Sequence, residues 1–243
     1  MTINSFDDEK CHSISENIKL IRERISVSAI KSGRSYEDIK LMAVTKTVPV
    51  EYINYSIDNC GIDLIGENKV QEFLQKKDEL HLDNVEKHLI GHLQTNKVKK
   101  IVPLVDMIQS VDSLHLAEEI SKQAVNNNLI SKILLEVNIG SEESKTGFDK
   151  VKFFESLSQI SELPNLAING IMTIPPISDD KNELKKYFSL MAQYFNDIKE
   201  KNYKNFNMQI LSMGMSGDYE LAIECGANLV RIGSLIYGAR IYK

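Results

Sequence analysis

The sequence has few cysteines, no long apolar run and no excess of positive charge, and each shortage closes off a class of protein. Cys11, Cys60 and Cys225 are an odd, scattered set without metal-ligand spacing. That argues against a disulfide framework or a zinc module and fits the reduced thiols of a cytoplasmic protein. No apolar stretch approaches the ~20 residues that span a bilayer. Residues 1–10 are polar and acidic, without the apolar core of a secretory signal. The formal net charge of −5 gives no electrostatic reason to expect nucleic acid or an anionic membrane as a partner. Glycine fingerprints are missing too: no G-x-G-x-x-G follows the first predicted strand, and there is no Walker-type phosphate loop. No linker, low-complexity segment or charge block divides the chain, so residues 1–243 are expected to form a single domain.

What is present is an ordinary globular composition, 42% hydrophobic and 26% charged over 243 residues, enough to bury a sizeable core. Ile14, Ile18, Ile21, Ile25 and Val27 mark an apolar stripe, predicting an N-terminal helix over residues 9–31 that Gly33 stops. After it a beat repeats: a short apolar strand, a loop, an amphipathic helix. Strands are predicted at 41–45, 62–65, 88–90, 107–111, 133–138, 168–173, 209–213 and 229–232. Helices are predicted at 50–58, 69–80, 113–127, 150–161, 183–201 and 218–225. Alternation of this kind implies parallel βαβ units, and eight strands imply an α/β (β/α)8 TIM barrel with an extra N-terminal helix. The rival, an open doubly wound sheet, would normally announce itself with the glycine fingerprint that is missing.

In such barrels function collects where strands end. The first strand, Leu41-Met42-Ala43-Val44-Thr45, is apolar on both faces and delivers Lys46 at its C-terminal end, on the face shared by Met42 and Val44. A lysine there either snorkels to solvent or is a nucleophilic amine able to form a Schiff base. Near the C-terminus, Leu211-Ser212-Met213-Gly214-Met215-Ser216-Gly217-Asp218 is a strand-to-helix turn whose small residues let backbone N–H groups converge. It also reads as a simple capped turn. In Val230-Arg231-Ile232-Gly233-Ser234 a permanent cation lies inside an apolar strand, which requires a structural carboxylate or a bound ligand. Gly233-Ser234 then opens a short final helix over residues 235–239, a recurrent phosphate site after the last barrel strands. Barrel closure makes strands one and eight neighbours, so a ligand with an aldehyde at one end and a phosphate at the other would span them. Pyridoxal 5′-phosphate fits that description.

Six motifs in chain order carry a resemblance that covers nearly the whole chain. They are Ala43-Val44-Thr45-Lys46-Thr47, Gly66-Glu67-Asn68-Lys69-Val70-Gln71-Glu72, and His88-Leu89-Ile90-Gly91-His92-Leu93-Gln94-Thr95-Asn96-Lys97. The others are Gly170-Ile171-Met172-Thr173-Ile174-Pro175, Ser212-Met213-Gly214-Met215-Ser216, and Val230-Arg231-Ile232-Gly233-Ser234-Leu235-Ile236-Tyr237-Gly238. The sequence resembles the pyridoxal phosphate homeostasis protein family, single-domain relatives of the alanine racemase N-terminal domain (the type III fold of pyridoxal phosphate proteins). The resemblance implies that Lys46 carries pyridoxal 5′-phosphate as an internal aldimine. It implies that Asn68, Ser212, Met213, Arg231, Gly233 and Ser234 line the cofactor, with Gly233 and Ser234 at the phosphate. It also implies a part in vitamin B6 homeostasis, with cofactor-dependent apoenzymes as candidate recipients. Thr45 stands where serine is common and Lys69 where tyrosine is common, which leaves the outer edge of the pocket unassigned.

The remaining signals carry less. No role is assigned to His92 beyond a loop histidine capping local backbone, nor to the loop 142–147 beyond a charged surface. No metal ligand set is expected, and Met213 and Met215 read as packing. Two functional classes stay in contention, a carrier or regulator of the cofactor and an amino-acid racemase. A two-base racemase needs a second acid/base opposite the lysine. In the alanine racemase relatives this is a tyrosine on a further C-terminal domain, whereas this sequence ends about ten residues beyond its last strand. Neither Tyr237 nor Tyr242 has a spacing that places it over the lysine. A non-catalytic carrier, monomeric or weakly dimeric, is the expectation.

Overall fold

Eight short parallel strands hydrogen-bond in chain order and the eighth returns to the first, closing a barrel. The computed structural model describes residues 7–142 and 145–239. The order is α1 (Asp8–Lys31), β1 (Lys40–Val44), α2 (Val50–Cys60), β2 (Leu64–Glu67), α3 (Val70–Lys76) and β3 (Glu86–Leu89). Then follow α4 (Thr95–Ile101), β4 (Met107–Val111), α5 (Leu114–Asn126), β5 (Ser131–Glu136), α6 (Lys150–Ser161) and β6 (Leu166–Met172). The chain closes through α7 (Lys181–Glu200), β7 (Phe206–Ser212), α8 (Tyr219–Glu224), β8 (Leu229–Ile232) and the one-turn α9 (Ser234–Tyr237).

The period-2 alternation of a strand sorts these residues into two layers. Met42, Val44, Leu64, Ile90, Met107, Leu134, Met172, Ile210 and Leu229 fill the barrel interior. Leu41, Ala43, Ile65, Leu89, Ile133, Val230 and Ile232 face outward and join the apolar sides of the helices in the larger core. Each buried Leu, Ile, Val or Met among them contributes about 1.5–3 kcal/mol of hydrophobic stabilisation. Most strands therefore read as largely apolar, with β3, Glu86-Lys87-His88-Leu89, the polar exception.

The N-terminal helix has a structural task. It packs against both α2 and α8, and so lies over β8, where the one-turn α9 leaves the outer ring incomplete. Its buried face is Cys11, Ile14, Ile18, Ile21, Ile25, Ser28 and Ala29. Val27, counted in the apolar stripe, points to solvent, because residues 25, 28 and 29 already complete the buried arc. Asn17 donates to the Ile236 carbonyl at 3.1 Å and Lys10 Nζ to that of Tyr237, two carbonyls that α9 is too short to satisfy itself. α1 thus braces the element that Gly233 and Ser234 begin.

Two local expectations are corrected. The helix predicted over 69–80 is shorter, Val70–Lys76, and continues as turns. The stretch between β3 and β4, assigned no helix, carries α4, whose Val98 and Ile101 are its buried contacts.

Candidate functional site

Lys46 stands two residues beyond β1, half-buried, on a tight loop closed by the Val48 N–H donating to the Thr45 carbonyl at 3.0 Å. The register of β1 with β8 pairs Met42 with Arg231 and Ala43 with Ile232, so Val44 meets Gly233 at the barrel mouth. A Cβ on Gly233 would lie 3.2 Å from the Val44 carbonyl oxygen and 3.3 Å from its Cβ, so glycine keeps this seam tight. A cavity of about 440 Å³ opens here, and Lys46, Gly233 and Ser234 share its wall with Tyr52 and Tyr237.

Arg231 lies in the barrel interior and is only 3% exposed. Its Nη1 donates to Ser212 Oγ at 2.6 Å and its Nη2 to the Thr173 carbonyl at 2.8 Å. Both acceptors are neutral. The carboxylates that act on it, Glu136 and Asp218, are engaged elsewhere: Glu136 accepts from Thr146 Oγ1 at 2.8 Å and Asp218 from the Met215 N–H at 2.6 Å. Burial pulls the Arg231 pKa down to about 10, which leaves it charged at neutral pH. A buried cation held by neutral acceptors suits an uncharged or anionic ligand group at the same mouth.

Below Arg231 runs a chain of polar side chains. Ser212 Oγ donates to Gln109 Oε1 at 2.7 Å, Gln109 Nε2 donates to His88 Nδ1 at 2.8 Å, and His88 Nε2 faces Glu86 Oε1 at 3.0 Å. Gln109 and Ser212 are fully buried, and His88 nearly so. Burial lowers the His88 pKa although Glu86 raises it, while the bond from His88 draws Glu86 down to about 2.

The sequence-predicted residues divide accordingly. Lys46, Gly233 and Ser234 line the cavity, whereas Arg231 and Ser212 bond to each other in the barrel interior and are not part of its lining. Asn68 follows β2 with its Oδ1 buried and without a partner among the described residues, the condition of an acceptor awaiting one. Gly91 packs on Asn68 so closely that a Cβ there would collide with the Asn68 carbonyl oxygen. Met213 is fully buried in the outer core, so only its backbone reaches the barrel mouth. His92 pairs with Asp112 at 3.2 Å, a side-chain contact in place of the expected backbone cap. In the loop 142–147, residues 143 and 144 lie outside the described residues, as does Tyr242; Lys145 Nζ donates to the Pro175 carbonyl at 2.9 Å. Tyr237 buries its hydroxyl against Ser56 Oγ at 2.8 Å. The candidates that sequence reasoning missed are Gln109, His88 and Glu136. For Gln109 and Glu136 the signal was there, since each is a polar residue in phase with the interior face of a largely apolar strand; β3, Glu86-Lys87-His88-Leu89, is itself too polar to set His88 apart.

The chain matches the sequence model described as "Alanine racemase, N-terminal domain" over residues 11–241. It is 41% identical over 229 residues to the pyridoxal phosphate homeostasis protein of Aquifex aeolicus, covering 93% of this chain and 98% of that one. Among solved structures it is similar to an unknown protein from Bifidobacterium adolescentis, with a TM-score of 0.91, 34% identity, and 96% and 98% of the two chains covered. It is also similar to PipY of Synechococcus elongatus solved with PLP bound, with a TM-score of 0.78, 32% identity, and 90% and 100% covered.

Proposed function

Because the chain belongs to the pyridoxal phosphate homeostasis protein family, within the alanine racemase N-terminal domain fold, we propose that it binds pyridoxal 5′-phosphate and takes part in its homeostasis. The observation that carries this reading is that Lys46 and Gly233 share one cavity where β8 meets β1, with the buried guanidinium of Arg231 two residues before Gly233, on β8. The residues present fit the group, because Asn68 Oδ1 is an orphaned buried acceptor and glycine keeps the seam at residue 233 clear of side chain.

When bound, pyridoxal 5′-phosphate supplies an aldehyde that condenses reversibly with a primary amine. Lys46 would provide that amine. Arg231, steadied by Ser212 and Thr173, would present its cation to the ring nitrogen. Asn68 and the Met213 backbone would line the ring, and the N–H groups of Gly233 and Ser234 would take the phosphate. Residues 1–243 would act as one cofactor-binding domain, because site residues from β1, β2, β7 and β8 belong to one closed ring.

A carrier is favoured over a racemase. The relatives matched along nearly their whole length are named homeostasis proteins. Burial raises the pKa of both cavity tyrosines, Tyr52 and Tyr237, so each keeps the proton a second base would have to give up. Cofactor-dependent apoenzymes are the recipients such a carrier would serve.

The test is borohydride reduction of the loaded protein followed by peptide mapping. The trapped cofactor should add its mass to the peptide containing residue 46, and Lys46→Ala should abolish it. Trapping at Lys69 or Lys97 would overturn the site.

A further inference from the structure

The loop that carries Lys46 is gripped from outside the cavity by three charged side chains, Glu67, Glu72 and Lys76. Glu67, the last residue of β2, is 3% exposed in its side chain and accepts from Thr45 Oγ1 at 3.0 Å. Lys76, the last residue of α3, is 13% exposed in its side chain and donates to the Thr45 carbonyl at 3.0 Å. Its Nζ also lies 2.6 Å from Glu72 Oε1 and 3.4 Å from Glu67 Oε2. Glu72 Oε1 in turn accepts the Thr47 N–H at 2.5 Å. The main chain on both sides of Lys46 is therefore fixed by one ion cluster.

The residue on the far side is strained. Thr47 has φ 62, a left-handed conformation that is costly for a β-branched residue and persists only where the surroundings impose it. The N–H that Glu72 accepts belongs to this residue. None of Glu67, Glu72 and Lys76 lines the cavity, so the cluster does not itself form the pocket wall. Nor is it well explained as a source of stability, since apolar residues of similar volume usually serve a buried site as well. What charge-assisted hydrogen bonds deliver beyond packing is direction. Burial pushes the Glu67 carboxyl up and Lys76 counteracts this, so the ammonium supports the charged form of its neighbour as well as holding the Thr45 carbonyl.

We propose that Lys76, Glu72 and Glu67 are positioning residues for the Lys46 amine, fixing the backbone of residues 45 and 47 so that Nζ enters the cavity along one line. The proposal rests on the reading of Lys46 as the cofactor-bearing amine. It concerns the approach of the amine, and leaves affinity for the rest of the cofactor to other residues.

Two quantities separate those effects in the full-length protein: the rate of adduct formation with pyridoxal 5′-phosphate, and the affinity for pyridoxine 5′-phosphate, which has no aldehyde. Glu72→Leu and Lys76→Met should form the adduct about 10- to 100-fold more slowly, the effect of a small misplacement of a reacting group, with analogue affinity changed less than about threefold. Glu72→Gln keeps an acceptor oxygen for the Thr47 N–H and should recover most of the rate. In cofactor-free protein, the Thr47 amide should be protected from hydrogen exchange in wild type and Glu72→Gln, and exposed in Glu72→Leu. Equal adduct rates in all four proteins, a parallel loss of analogue affinity, or an unprotected Thr47 in wild type would overturn the positioning role alone. Failure of wild type to form any adduct at residue 46 would overturn the Lys46 reading, and the positioning role with it.

Discussion

Ser212 Oγ lies 2.6 Å from Arg231 Nη1 and 2.7 Å from Gln109 Oε1, accepting from the first and donating to the second. This one hydroxyl sets the direction of every bond below it. Gln109 must then turn its amide nitrogen toward His88, whose Nδ1 must accept, so the imidazole proton belongs on Nε2, facing Glu86. Nitrogen-15 correlation spectra at neutral pH should show His88 as the neutral Nε2–H tautomer. A protonated Nδ1 would require the opposite amide orientation and would break the chain at Ser212.

The same histidine makes a linkage prediction. Its folded pKa is lowered, so below the ordinary histidine value the unfolded chain binds more protons and stability falls with falling pH. Glu67 and Glu136 titrate in the other sense, because burial raises their pKa values, so the wild-type profile alone is ambiguous. The difference between proteins is not. Between pH 7.5 and 5.5 wild type should lose more stability than His88→Asn, at roughly 2–4 °C in Tm per kcal/mol for a chain of this size. Parallel profiles would remove His88 as the acid-sensitive group.

Arg231 predicts the protonation of the cofactor ring. A guanidinium facing the ring nitrogen disfavours a second cation beside it in a poorly solvated site. Cofactor labelled with nitrogen-15 should therefore show an unprotonated ring nitrogen in wild type at neutral pH, and Arg231→Glu should shift it toward the protonated form. Protonation already in wild type would leave Arg231 a structural role only. An unprotonated ring is a weak sink for carbanion electrons, which suits holding the cofactor. L- and D-alanine should keep their chirality on incubation, and turnover near ~10 s⁻¹ would contradict the carrier reading.

The brace from α1 should be measurable at the cofactor. Asn17→Ala removes one neutral donor to the α9 carbonyls, a loss of about 1 kcal/mol. If α9 holds the phosphate, part of that loss should appear as weaker binding of pyridoxine 5′-phosphate, up to about fivefold. Unchanged affinity with lowered Tm would confine α1 to stability.

Much of the fold was legible because most strands are short, largely apolar runs and most helices between them are amphipathic. The β4, α6 and β8 bounds match expectation, and the Lys46, Arg231 and Gly233 positions follow from strand ends and closure. What escaped did so for separate physical reasons. α4 is seven residues long and buries little, so its periodicity never develops. His88 sits in a strand that is mostly polar, and no local pattern says that Lys76 reaches back to Thr45. The outward turn of Met213 was concealed because a motif match fixes position but not the direction of a side chain.

The pairing of Met42 with Arg231 also bears on how the protein comes to exist. About three quarters of the chain separates these two residues, a long-range contact of the kind that slows folding. A growing polypeptide that has emerged only through β7 already carries the amine but lacks the arginine and the glycine seam. If Arg231 and Gly233 hold the cofactor, its capture is tied to the last step of ring closure. A ligand that binds only the closed ring would draw late folding intermediates toward completion by mass action. Supply of the vitamin during synthesis would then act on the yield of folded protein as well as on its occupancy.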